Sequence, residues 1–163
     1  MINISYYENK MYDSDVVNEI TNSFNATKQE LNLVHGKTIM VKINIRNKNV
    51  ASICLIPNSD LSQYLLTKGM DYETMNTNYL FRANEGVYIY NMSVNKNYRG
   101  KGLGHKLLDI TLHICNLLKY DYCYAHCENE ISYHIFNKKG FNKENVFRNK
   151  DNEIVALMSY WLN

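Results

Sequence analysis

Three glycines at alternate positions, Gly100, Gly102 and Gly104, stand between an apolar, aromatic run and a segment of helical periodicity. Upstream, Val87–Val94 is apolar enough to be a buried strand. Downstream, Leu103, Leu107, Ile110, Ile114 and Leu117 recur at steps of 4, 3, 4 and 3, the spacing of one apolar helical face. A strand, a tight turn and a helix in that order restrict the chain to folds that lay helices on a sheet. The next segments agree. Tyr122–Cys127 reads as a strand, Glu130–Lys139 as a helix ended by Gly140, and Ile154–Trp161 as a last strand. Strands joined by helices from residue 87 onward predict an α/β sandwich.

The first half is less regular. Ile2–Tyr7 is a candidate strand, and Ser14-Asp15 an N-cap for a helix whose face carries Val16, Val17, Ile20 and Phe24. Thr38–Ile45 and Val50–Ile56 are β-rich runs around a turn at Arg46–Asn49. Leu61–Leu66 suits a short helix, while Asp71–Ala83 has no clear period. Residues 58–85 thus form an insertion of a length that often serves function. With no repeat or linker, the 163 residues are expected to form a single domain spanning 1–163.

Charge and composition exclude several classes. A net charge of +2 with scattered basic residues argues against a nucleic-acid partner. No stretch is long and apolar enough to cross a membrane, and the N-terminus lacks a secretory pattern. Cys123 and Cys127, if on one strand, would lie roughly 13 Å apart, too far for a disulfide. A reduced, cytoplasmic setting is expected. A metal site would have to recruit His126 beside those cysteines, with no second ligand pair at a zinc spacing, so no metal is expected.

The glycine turn has its own chemistry. Without Cβ atoms it brings backbone amides close to a ligand, and the helix it opens adds unpaired N–H donors and the positive end of its dipole. Such a point holds phosphate or pyrophosphate, and Arg99 and Lys101 add positive charge. The spacing fits neither a Walker A loop, which ends Gly-Lys-Ser/Thr, nor a Rossmann fingerprint.

The segment from Asn91 to Leu108 resembles motif A of the GNAT superfamily of N-acetyltransferases. Its core of Arg/Gln-x-x-Gly-x-Gly/Ala falls on Arg99, Gly102 and Gly104. Asn129, followed by Phe136 and then by Gly140-Phe141, resembles motif B; together the two cover about residues 87–141. The resemblance implies a mixed, largely antiparallel central sheet flanked by helices, with a splayed strand pair forming the acetyl-CoA cleft. It also implies roles. The backbone of Met92, Ser93 and Val94 would line the pantetheine arm. The amides of Arg99, Gly100, Lys101, Gly102, Leu103, Gly104 and His105 would hold the pyrophosphate. Asn129 would bond the pantetheine arm, with Phe136 beside the cofactor.

The implied reaction is direct attack of a neutral amine on the thioester, the oxyanion being stabilised by a backbone N–H, that of Met92. The general acid of relatives, a Tyr, falls on Phe136; a thiol of pKa about 8.5 still leaves readily as thiolate, and Tyr133 is a substitute donor. Tyr88 and Tyr90 stand where relatives place a Glu or His base, and Tyr124 occupies a further base position. A water relay draining to Glu85, His126 or Glu128 is the alternative, His126 being the group that titrates near neutrality. Three tyrosines facing the substrate would make an aromatic acceptor cleft, suited to a small amine such as an amino sugar or polyamine. A protein or peptide N-acetyltransferase and a binding module without turnover are the rival readings. Either a monomer or a homodimer is compatible with the sequence.

Overall fold

The computed structural model describes residues 2–6, 36–61, 79–148 and 151–162. Within them the strands are β1 (Ile2–Tyr6), β2 (Ile39–Ile45), β3 (Lys48–Pro57), β4 (Gly86–Val94), β5 (Tyr122–Cys127), β6 (Asn142–Arg148) and β7 (Ile154–Trp161). Two helices, α1 (Leu103–Leu117) and α2 (Glu130–Lys138), connect β4 to β5 and β5 to β6. The seven strands form one sheet in the order β1-β2-β3-β4-β5-β7-β6. Every neighbouring pair is antiparallel except β4 and β5, which α1 joins as a parallel crossover. This is the mixed, largely antiparallel sheet that the motifs imply. The expected helix over residues 14–24 and most of that at 61–66 lie outside the described residues.

The β2–β3 hairpin turns on two residues, Arg46 and Asn47, with φ of 52° and 62°. Positive φ at both central positions matches the right-handed twist of the strands it joins, so the turn is tighter than the four residues expected from composition.

α1 packs on β3, β4 and β5, and its buried stripe is Gly104, Leu107, Leu108, Thr111, Ile114 and Cys115. The stripe is rotated from the expected one, since Leu117 is 51% exposed. At Gly104 a Cβ would meet Ile135 Cδ1 of α2 at 3.2 Å, so the glycine lets the two helices approach on that side. The buried Thr111 hydroxyl is satisfied within α1 by donating to the Leu107 carbonyl at 2.8 Å. On this face Leu107, Ile114, Ile53, Ile89, Cys123, Phe136, Phe141 and Met158 form the main core. The opposite face is a separate cluster with Ile56, Leu61, Leu80, Phe81, Tyr88, Tyr122, Tyr124 and Leu157. All four cysteines are free and buried.

The last strand expected, Ile154–Trp161, is present as β7, but it lies inside the sheet between β5 and β6. The edge is β6, which the pattern missed. Its residues are exposed on both sides, and a register shift falls between Lys143 and Asn145. It is a strand because β7 offers a ladder to pair with, not because it alternates.

Gly86, where β4 begins, has a close-approach role. A Cβ added there would lie 2.6 Å from both Asn58 Nδ2 and Tyr122 Cζ. Gly86→Ala is expected to cost about 1–3 kcal/mol through overpacking. Urea denaturation checks this, and a variant of wild-type stability would show that the two side chains can step aside.

Candidate active site

The geometry begins with backbone pairing. Tyr90 opposes Cys54 and Ser93 opposes Ser52, so Asn91 and Met92 together face the single residue Ile53. This is a β-bulge, which leaves the extra residue out of the ladder and bends the strand. On the other side of β4 the parallel ladder with β5 consists of Gly86–Tyr122, Val87–Cys123 and Tyr88–Tyr124. Beyond Tyr88 the two strands part, while β5 stays paired to β7 as far as Cys127. A wedge therefore opens between residues 89–94 of β4 and residues 125–127 of β5. The splay and the bulge bring Met92, Ser93 and Val94 to its edge.

The glycine turn sits just past the end of β4. Asn95 donates its amide to the Val50 carbonyl at 2.7 Å, and its side chain accepts from Asn97 N at 3.0 Å, opening a short 3₁₀ turn. Arg99 Nε donates to the Val94 carbonyl at 3.1 Å, tying the loop to the strand. Lys101 Nζ lies 5.3 Å from the centre of the Tyr98 ring, and a cleft of about 400 Å³ lined by Lys48, Asn95, Tyr98 and Lys101 adjoins the loop.

Gly102 is the N-cap of α1 at φ 79°, and Gly100 has φ 76°; a Cβ at either would meet nothing within 4 Å. They are glycines for their backbone conformation and not for lack of space. A glycine cap carries no side chain to satisfy the first amides of α1, so those donors face outward where an anion can take them. α2 is the opposite case: Asn129 Oδ1 caps it by accepting from Ser132 N at 2.8 Å. Asn129 thus has a structural role, with its amide nitrogen left to donate. Phe136 is buried edge-on against Phe141 at 4.8 Å, inside the core. Tyr133 lies half-buried on the same helix.

The aromatic face differs from the sequence expectation. Tyr88 and Tyr124 are buried, at 4% and 0% exposure, so they do not form an open wall; Tyr90 is half-exposed. Tyr124 donates its hydroxyl to Asn58 Oδ1. Tyr88 Oη pairs with His126 Nδ1 at 2.8 Å. Burial first, then the charge of Glu128, pushes the Tyr88 phenol well above its usual range, so it stays protonated. Burial lowers His126 to about 4. The expectation that His126 titrates near neutrality is therefore corrected: a half-buried ring between aromatic neighbours stays uncharged there. Glu85 and Glu128 are exposed. Among the described residues no group of three His, Cys, Asp or Glu side chains is placed to hold a metal ion, and no helix is long and apolar enough to cross a membrane.

Residues 7–141 match the Acetyltransferase (GNAT) family, and the chain belongs to it. The fold is similar to that of the ribosomal-protein-S18-alanine N-acetyltransferase of Escherichia coli, at 13% identity and TM-score 0.57, over 100% of this chain and 95% of that one. It is similar also to an agmatine N-acetyltransferase, at 13% identity and TM-score 0.61 over 77% and 76%. An aminoglycoside 6'-acetyltransferase type Ii matches at 14% identity and TM-score 0.56 over 77% and 70%. No curated protein sequence matches significantly.

Neutral His126 has a consequence for stability. Its folded value of about 4 lies below the unfolded reference of 6.5, so the unfolded chain binds the extra proton first. Its contribution is present above pH 6.5 and is lost as pH falls toward 4, by about 3 kcal/mol at full effect. His126→Gln should flatten the acid limb of unfolding free energy between those values, read by urea denaturation across pH; an unchanged limb would remove His126 from it.

Proposed function

We propose that the wedge and the glycine turn bind acetyl-CoA, and that the chain moves its acetyl group to the amine of a small molecule. The observation that carries this is the meeting of three backbone features: the bulge at Asn91–Met92, the parting of β4 from β5, and a helix whose glycine cap leaves its first amides open. The fit is physical. A pyrophosphate needs N–H donors that no side chain already occupies, and the turn from Arg99 to His105 supplies them. A pantetheine arm can pair like a strand with groups that the bulge takes out of the ladder, at Met92, Ser93 and Val94. Asn129 Nδ2 would donate to that arm. Phe136 would support it from below, as part of the core that holds α2.

In the reaction the amine lone pair forms the new C–N bond at the thioester carbonyl, and the C–S bond breaks to release thiolate. The Met92 N–H would stabilise the oxyanion between these events. The amine proton would pass to His126. In the tautomer whose Nδ1–H donates to Tyr88 Oη, Nε2 keeps a lone pair, and at neutral pH the ring is free of its own extra proton. A base this weak suits a proton made acidic by attack on the carbonyl rather than that of a free ammonium. Tyr124, with its hydroxyl on Asn58, is not assigned the proton. Tyr90 lines the acceptor side, and Tyr133 is the donor available to the leaving thiolate. A small amine is favoured because the half-exposed Tyr90 ring offers a face on which an ammonium can rest. The fold likeness over the whole chain to an enzyme of ribosomal-protein alanine supports a peptide N-terminus as the second reading.

Gly102→Asp tests the cofactor half. Calorimetry should show acetyl-CoA affinity reduced about 10–100-fold, since a carboxylate would face the phosphates at a position where αL backbone is tolerable. Unchanged affinity would refute the phosphate cradle. For the chemical half, a panel of agmatine, spermidine, glucosamine and an Ala-terminated peptide is assayed for free-thiol release. His126→Gln is expected to lower kcat about 10²-fold on the acceptor that is used, with KM for acetyl-CoA little changed. Release from the peptide alone would replace the small-amine reading.

A further inference from the structure

Asn58, just past β3, bonds the turn at residues 79–83 that precedes β4. Asn58 Nδ2 donates to the carbonyls of Leu80 at 2.7 Å and Ala83 at 2.6 Å, while its Oδ1 accepts from Tyr124 Oη. Tyr122 Oη donates to the same Leu80 carbonyl at 2.6 Å. Asn58 therefore joins the end of β3, the 79–83 turn and β5, and Gly86 leaves it the room to do so. The turn so held carries Phe81. Its ring stands edge-on over Tyr124 at 4.8 Å and lies near-parallel to His126, with centroids 5.9 Å apart at 24°. Phe147 of β6 meets His126 edge-on at 5.6 Å. The imidazole is gripped between two phenyl rings with the Tyr88 hydroxyl at Nδ1.

We propose that Asn58 and Phe81 are positioning residues: Asn58 fixes the 79–83 turn, and Phe81 thereby clamps the His126 ring against Tyr88 and keeps water from it. The inference rests on His126 as proton acceptor. It gives the 79–83 turn a task in the reaction, that of orienting the ring and excluding solvent. Free rotation of His126 would move Nε2 off the amine, and hydration would favour the imidazolium, which cannot accept a proton. The titratable groups about the Tyr88–His126 pair include Tyr90 on β4, Tyr124 and Cys127 on β5 and Glu128 past its end. β7 presents Leu157 opposite His126, and β6 presents Phe147. Tyr88 holds the ring from β4, so Phe81 and Phe147 are what shield its faces.

The test needs Phe81→Ala, the milder Phe81→Leu, and Asn58→Asp, which keeps the acceptor for Tyr124 but removes both donors. Proton NMR of the His126 ring, which requires no acceptor substrate, should show Phe81→Ala titrating higher than wild type by about one pH unit or more. Asn58→Asp should shift in the same direction. On the acceptor in use, kcat should fall roughly tenfold while KM for acetyl-CoA stays within about twofold. If Phe81→Ala does not fold, Phe81→Leu and Asn58→Asp carry the same readouts. Folded variants that melt earlier but keep wild-type titration and kcat would overturn the clamp and leave a purely structural knot. The His126 assignment fails separately, if His126→Gln turns over at the wild-type rate.

Discussion

Two parallel strands that stop hydrogen-bonding while still inside a sheet leave backbone donors and acceptors unpaired, and the rest of this molecule depends on that break. The β4–β5 ladder ends at Tyr88 and Tyr124, and four residues farther on β4 gains an extra residue opposite Ile53. Such a gap would be costly if water and ligand were both kept from it. It is sustained because each strand is held from its far side, β4 by β3 and β5 by β7. α1 then runs back across the face, with Leu107, Leu108 and Ile114 pinning both strands from one side. The glycine turn places the open N-terminus of that helix just past the end of β4. Wedge, bulge and uncapped helix N-terminus thus follow together from where pairing stops.

The two faces of the sheet solve burial differently. The helix face is aliphatic, with Phe136 and Phe141 packed edge-on at its lower end. The other face is built from tyrosines whose hydroxyls are tied down: Tyr122 to Leu80, Tyr124 to Asn58, Tyr88 to His126. Burial raises the phenols of Tyr88 and Tyr122, so both act as neutral hydrogen-bonding groups. The same burial works the other way on His126, because for a base the charged form is the protonated one. One environment therefore keeps both members of the pair uncharged, so the hydrogen bond between them joins two neutral groups.

The second half of the chain was largely legible because its signals are local. β5 and β7 fall on the residues that the apolar runs mark, and α1 and α2 end within a residue of their periodic segments. The glycine spacing, the Arg99 flank and Asn129 are likewise short-range patterns. β6 was not legible, since Asn142–Arg148 is exposed on both sides and owes its conformation to a neighbour. Phe136 and Tyr124 could be placed on their elements but not in their surroundings. One lies in the core, and the other has its hydroxyl taken by a residue 66 positions away. Asn58 and Phe81 had no signal at all: an Asn after a proline and a Phe in an aperiodic stretch are ordinary until the strands are assembled.

The sequence by itself determined the order of elements from β4 to α2, the α/β class and the glycine turn at the head of a helix, because periodicity and backbone freedom act over a few residues. Only the tertiary structure decided which tyrosines are buried, that His126 is neutral, and that Phe81 comes to stand beside it. Those properties arise from desolvation and from contacts between residues far apart in the chain, and no local pattern records them.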